Sequence, residues 1–331
     1  MPSYVDNLTF PSQLASEIRN CGGRFIVTGT GGWMGRVVAE MLDRALGENS
    51  PTRISLYGTT PRNLTLLSGR TLPVQAFDMI AQAQGPAYFF HCGFLTRDKV
   101  AAMPLNDYVA ANTHISDRVI AGMEAAQAKG IFMPSSGAVY KPGTHVLDKN
   151  LETNPYGVLK AGDEQRFLKF AAERDIPTCI PRVFNLSGPF INKPEIYALA
   201  SFLTQALARQ PITIKAQHRV VRSYVHIADL ITLAVAMLLS PHEDAPPVFD
   251  TAGEDDVELS DLASKIVEVL GQPELAINRP KILPGAENVY VGQPGQMTAI
   301  MDHYGYAERD LAAQILDTAD YLSGSPRMAA A

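Results

Sequence analysis

Residues 24–46, RFIVTGTGGWMGRVVAEMLDRAL, constrain the fold of this chain more than any other stretch. A short apolar run ends in spaced glycines, Gly29, Gly32 and Gly35, and then gives way to a helical apolar pattern. Strand, tight turn and helix in that order open a doubly wound α/β sheet. Glycines let the backbone turn sharply and approach a ligand closely, and the first helical N–H groups after them face an anion. Gly29, Gly32 and Gly35 are therefore the candidate cradle for the pyrophosphate of a dinucleotide.

The pattern continues downstream. RISLYG (53–58), LPVQAFD (72–78), AYFFHCG (87–93) and GIFMPSS (130–136) are strand candidates, with helical patterns between several of them, notably over 107–128. Such alternation predicts a parallel sheet covered by helices on both faces, a Rossmann-type arrangement. From about residue 187 the punctuation changes. LSGPFINKPE and SPHEDAPP are Pro-rich loops, while ASFLTQALARQ and LSDLASKIVEVLG read as helices. We expect a dinucleotide-binding domain over 1–186 and about 223–252, carrying an N-terminal extension. A smaller, partly interleaved C-terminal substrate lobe would take 187–222 and 253–331. The tail SGSPRMAAA (323–331) reads as frayed.

Composition narrows the class. A net charge of −6 over 331 residues argues against a dedicated nucleic-acid partner or a polybasic membrane contact. The longest greasy run, IADLITLAVAMLLS (227–240), is too short to span a bilayer and contains Asp229, so it reads as a buried helix. The N-terminus lacks the basic-then-apolar order of a signal peptide. Cys21, Cys92 and Cys179 are far apart and form no metal-ligand pattern; their odd number argues against a complete disulfide framework, so we expect a cytoplasmic protein with no metal. His91 and His226 sit in strand-like apolar runs and read as structural.

The second strand candidate ends LYGTTPRN, and no acid occurs between Glu48 and Asp78. An NAD site of this type carries a carboxylate there to hold the ribose 2′-OH. Here Gly58, Thr59, Thr60 and Arg62 stand instead. Hydroxyls and a guanidinium would bind a 2′-phosphate that a carboxylate would repel. NADP(H) is the expected cofactor, with NAD(H) the alternative. Asp78 either reaches the adenine or caps the turn after its strand.

NPYGVLK (154–160) opens another helix: Asn154 suits the N-cap and Pro155 the first helical position. Four positions apart, Tyr156 and Lys160 stack on one helical face. A cation beside a tyrosine favours the phenolate, which would make the phenol a proton donor or acceptor near neutral pH. Alone, the pair is short enough to be an ordinary solvated one.

In order along the chain, TGTGGWMG, FFHCG, PSSGAVY, NPYGVLK, RVFNLSGP and RSYVHIADL resemble the motifs of the extended short-chain dehydrogenase/reductases, specifically the NAD(P)-dependent epimerase/dehydratase family acting on nucleotide sugars. The resemblance covers about residues 24–320. It implies a catalytic set of Ser136, Tyr156 and Lys160, with Ser135 as the competing serine. Ser136 would hydrogen-bond the reacting oxygen, Tyr156 would exchange a proton with it, and Lys160 would tune the tyrosine and hold the nicotinamide ribose. Asn112 matches an asparagine that supports the site; a helix-cap or helix-surface amide is the alternative. Asn185 and Arg222 would contact the nucleotide diphosphate. The helix opened by Tyr156 belongs to the family's dimer-forming bundle, so a homodimer is expected.

Several positions depart from the family pattern. Gly137 and Ala138 stand where dehydratases carry an Asp-Glu pair, so 4,6-dehydration is not expected. Leu159 replaces a small hydroxyl residue, and LPGAENVYVG offers Glu287 and Asn288 where a second phosphate-binding arginine often lies. The resemblance, taken with the missing acid after the second strand, implies an NADPH-dependent 4-keto-sugar reductase. A 4-epimerase with bound NAD is the alternative, and a non-catalytic dinucleotide sensor or scaffold the third reading.

Overall fold

A computed structural model describes residues 4–253, 255–285 and 287–324; the tail from 325 lies outside the described residues. The chain divides into two compact units. One holds Leu8–Val183 and Ile231–Asp250; the other holds Phe184–Leu230, the N-terminal residues to Asn7 and those from Thr251 onward. The return to the first unit thus begins at Ile231 rather than near 223, because Val220–Ser223 and Val225–His226 pair with strands of the second unit.

The first unit is built on a sheet whose strands lie in the order Val248–Asp250, Thr178–Val183, Ala128–Phe132, Ala87–His91, Arg24–Thr28, Ile54–Gly58, Thr71–Ala76 and Arg62–Thr65. All neighbours are parallel except the last pair, where Arg62–Thr65 runs antiparallel to Thr71–Ala76. From Arg24–Thr28 the chain winds outward through Ile54–Gly58, then returns to the other side at Ala87–His91. Arg24–Thr28 therefore ends at the point where the strand order reverses, and there such sheets bind their ligands. The expected Rossmann-type α/β architecture is the observed one.

The expected strands are found with shifted ends. The third stops at Ala76, and Phe77–Gln82 is a 3₁₀ turn, so Asp78 lies beyond it. The fifth breaks at Met133 and Pro134 and resumes as Ser135–Ser136 beside Arg182 and Val183. Thr178–Val183 and Val248–Asp250 were not legible as strands. Pro181, which cannot donate to a ladder, interrupts the apolar reading of the former, and the latter is only three residues long.

The sheet carries its helices on apolar side chains. Ile26, Phe89 and Ile180 pack with Val119 and Met123 of the helix Leu105–Ala125 and Phe167 of the helix Pro155–Ala172 in one buried cluster. Burying a phenyl group such as Phe167 contributes roughly 1.5–3 kcal/mol. The helix Ile227–Leu239 is buried along nearly its whole length, as its apolar run predicts. Among the described residues no helix is long and apolar enough to cross a membrane.

The second unit has its own core. The helices Ala198–Leu207, Leu259–Val269 and Leu311–Gly324 meet through Leu199, Phe202, Leu203, Leu262, Ile266 and Ile315. Val220–Ser223 runs between Asp256–Glu258 and Asn288–Tyr290 in a small mixed sheet.

Candidate active site

The loop after the first strand is shaped by what its glycines lack. Gly29 has φ +73°, and a Cβ there would lie 2.5 Å from the Cys92 carbonyl; one at Gly35 would lie 2.5 Å from Gly29 O. Only glycine lets the turn and the helix Trp33–Leu46 close so tightly. No side chain caps this helix, whose N-cap is Gly32. Thr30 Oγ1, in the same loop, is buried and without a hydrogen-bond partner among the described residues. An uncapped helix N-terminus, a cradle that any Cβ would fill and an orphaned hydroxyl fit the pyrophosphate and adenosine of a dinucleotide.

At the end of the second strand, Gly58 is buried and Thr59 and Arg62 are exposed. The Arg62 side chain folds back over the glycine loop: a Cβ on Gly31 would lie 3.3 Å from one of its guanidinium nitrogens. Among the described residues that guanidinium makes no ion pair. Arg62 opens the edge strand Arg62–Thr65, which places it there. Asp78 is differently engaged. It pairs with His114 (3.3 Å) and Arg118 (3.6 Å) of the helix Leu105–Ala125.

Ser136, Tyr156 and Lys160 are brought together by a seam between the segment 134–138 and the helix Pro155–Ala172. Asn154 caps the helix as expected, accepting the Gly157 N–H (3.0 Å), and donates to Ala138 O (2.7 Å). A Cβ on Gly157 would lie 1.9 Å from Ala138 O, so glycine is required beside Tyr156 for the seam to close. One turn on, Lys160 Nζ donates to Pro134 O (2.9 Å). Burial brings the Lys160 pKa down to about 8, while Asp163, Cys92 and Glu164 pull it upward. Tyr156 is half-buried, its ring edge-on to Phe94.

The two serines separate cleanly. Ser135 donates its hydroxyl to Glu164 Oε1 (2.5 Å), inside a buried network. Arg182 grips the same carboxylate with two bonds (2.9 and 2.6 Å) and donates to Tyr140 OH (2.6 Å), which donates to Asp250 Oδ1 (2.9 Å). Burial works to lower the Arg182 pKa, but Glu164 holds it above its ordinary value. Ser136 lies outside that carboxylate's grip and accepts the Ala138 N–H (3.2 Å). Glu164 and Arg182 escaped the sequence reading. The i+4 spacing from Lys160 would have pointed to Glu164; nothing local points to Arg182.

Asn112 is fully engaged: Oδ1 accepts the Leu95 N–H (2.9 Å) and Nδ2 donates to Tyr108 O (3.2 Å), so it fixes the loop after Ala87–His91. His91 is buried against Phe167, and burial lowers its pKa to about 3. Thr28 Oγ1 accepts the Gly93 N–H and shares a hydrogen bond with His91 Nδ1 (2.8 Å), so the ring is tied into the strand ends. His226 is structural as well, bound to Asp317 (2.7 Å) in the second unit.

The two residues expected at a diphosphate belong to the second unit. Asn185 donates both amide hydrogens to backbone carbonyls, Ser223 O (3.0 Å) and Tyr290 O (3.2 Å), leaving only an acceptor for any ligand. Arg222 donates to Val221 O, Asn288 O and Asn288 Oδ1, and no carboxylate pairs with it among the described residues. Burial lowers its pKa. Asn288 thus orients this guanidinium, while Glu287 pairs with Arg219. Among the described residues no cluster of three or more His, Cys, Asp or Glu side chains could hold a metal ion.

Comparison with known proteins gives the family and the fold. The NAD dependent epimerase/dehydratase family matches residues 6–251. A UDP-N-acetylglucosamine 4-epimerase from Methanobrevibacter ruminantium, solved with UDP-N-acetylmuramic acid, shares the fold at a TM-score of 0.69 and 16% identity, over 91% of this chain and 98% of that one. A UDP-glucuronic acid 4-epimerase from Bacillus cereus, solved with UDP-glucuronic acid and NAD, gives 0.66 and 19% over 91% and 99%. A trifunctional UDP-glucose 4,6-dehydratase/UDP-4-keto-6-deoxy-D-glucose 3,5-epimerase/UDP-4-keto-L-rhamnose-reductase of Arabidopsis thaliana is 28% identical over 143 residues, 42% of this chain. The match spans about a fifth (21%) of that relative's length.

Proposed function

The chain belongs to the NAD-dependent epimerase/dehydratase family, and from that premise we propose that it is an NADPH-dependent reductase of a nucleotide-linked 4-keto sugar. The observation that carries the cofactor choice is Arg62, whose guanidinium, without an ion pair among the described residues, lies over Gly31. Gly29, Gly32 and Gly35 would hold the pyrophosphate; Gly58, Thr59 and Arg62 the 2′-phosphate; Lys160 the nicotinamide ribose. When bound, the nicotinamide supplies hydride. Ser136 hydrogen-bonds the substrate carbonyl oxygen and Tyr156 passes it a proton, with Lys160 holding positive charge beside the phenol. Arg222 supplies an uncompensated charge for the diphosphate, and Asn185 holds the strands around it. Gly137 and Ala138 carry no acid or base, so water elimination is not assigned. A cytoplasmic homodimer, formed through the helix Pro155–Ala172, is part of this reading.

The same residues serve a 4-epimerase that oxidises and re-reduces its sugar on retained NAD. The 4-epimerases among the structural neighbours favour that second reading. Identification of any copurifying nucleotide, followed by fluorescence titration with NADPH and NADH, separates the two. The reductase binds NADPH more tightly and exchangeably, and Arg62→Ala weakens NADPH roughly tenfold while sparing NADH. Arg62→Ala is a cleaner test than adding a carboxylate by Gly58→Asp, because a Cβ at Gly58 would meet Val74 Cγ1 at 3.0 Å. Equal or tighter NADH binding overturns the cofactor choice, and NAD retained through purification favours the epimerase.

A further inference from the structure

The loop after Ala87–His91 is clamped on both sides of one residue. Gly93 donates its N–H to Thr28 Oγ1 (3.2 Å), Leu95 donates its N–H to Asn112 Oδ1 (2.9 Å), and Tyr108 donates its hydroxyl to Leu95 O (2.5 Å). Asn112 and Tyr108 are both buried. Between these clamps stands Phe94. Its ring centroid lies 4.1 Å from Lys160 Nζ and 5.7 Å from the Tyr156 ring, which it meets at 80°.

We propose that Phe94 is a positioning residue for the Tyr156–Lys160 pair: its ring face keeps the Lys160 ammonium charged and its contact with Tyr156 sets the phenol beside it. This rests on the proton-transfer role proposed for that pair.

The surroundings of Lys160 show why a ring is needed. An ammonium has three hydrogens to place, and Pro134 O takes one. Two carboxylates lie on its own helix, and both are engaged elsewhere. Asp163 accepts the Ser116 hydroxyl (2.7 Å) and lies 3.7 Å from Arg166, while Glu164 is gripped by Arg182 and Ser135. From the neighbouring strand and loop come His91 and Cys92. Burial holds the first neutral, with a pKa of about 3, and pushes the second up to about 12. Tyr156, one turn back, completes the titratable neighbours. The Phe94 face is thus a source of negative potential not already claimed by another cation. A cation over an aromatic face in a desolvated site is stabilised enough to hold its titration up by about one pH unit or somewhat more.

The test reads Lys160 directly, without a substrate. Protein labelled with ¹³Cε-lysine is titrated by NMR, and the Lys160 resonance is assigned by its loss in Lys160→Arg. Phe94→Leu is expected to move the Lys160 midpoint down by about one pH unit, and Phe94→Tyr, which keeps the ring face, to restore it. Were Phe94→Leu not to fold, pentafluorophenylalanine at position 94 keeps the shape, reverses the quadrupole and carries the same expectation. An unchanged midpoint overturns the proposal. A raised one does too, because it would make the ring a mere cover that keeps water away. NADPH titration of the same proteins separates this inference from the cofactor reading, and turnover of Tyr156→Phe separates it from the proton-transfer role. If NADPH binds none of them and the midpoint still falls, the cofactor reading fails and the role of the ring stands.

Discussion

Lys160 and Arg222 are the two cations on which the proposed chemistry depends, and they are held in opposite ways. Lys160 sits in a buried seam with one backbone carbonyl, one aromatic face and two carboxylates nearby on its own helix. Arg222 is half-buried on a strand, bound to backbone carbonyls and an amide, with no carboxylate partner among the described residues. Burial lowers the pKa of both, but the starting points differ. A lysine brought to about 8 can lose its proton near physiological pH, whereas a guanidinium stays charged. The first is suited to tuning a proton transfer and the second to holding an anion of fixed charge. Chemistry that needs a variable charge and binding that needs a constant one are thus given to different residues.

The sharpest way to break the comparison is at the lysine's partner. Tyr156→Phe removes one oxygen, so fold and cofactor binding should survive while turnover falls roughly 10²–10⁴-fold. Near-normal turnover, with a substrate the unmodified protein accepts, would return Tyr156 to an ordinary half-buried tyrosine.

The second test uses stability. In the folded protein Lys160 titrates near 8, against 10.5 when free, so between those values the unfolded chain binds more protons. Stability from this group therefore rises with pH across that window, and the cost of burying the charge is fully present below it. Lys160→Met removes the titration, so the stability difference between the two proteins should change by on the order of 3 kcal/mol from pH 7.5 to pH 10.5, with Lys160→Met relatively better at the lower pH. Denaturant melts at both values measure it, and a difference that does not vary with pH would show that Lys160 is not held in a dry site.

The smallest expected effect sharpens the other side. Arg222→Ala should weaken UDP, used as the diphosphate probe, by roughly tenfold in calorimetry, with a loss that is the same at pH 7 and pH 9. Unchanged UDP binding would leave Arg222 as a tie between Val221 and Asn288.

What the sequence by itself determined is local. Strand, glycine turn and helix at 24–46, the Asn154 cap and the i, i+4 pairing of Tyr156 with Lys160 depend on backbone freedom and helical period, which neighbouring residues impose on each other. Only the tertiary structure decided the rest. It committed Ser135 to Glu164, 29 positions away, and Glu164 in turn to Arg182, 18 positions away. It turned Arg62 onto Gly31 by adding an edge strand, and paired Asp78 with His114 and Arg118. It also set Phe94 between Tyr156 and Lys160. A side chain's charge state and partners depend on which distant segments exclude water around it, and chain spacing carries no record of that.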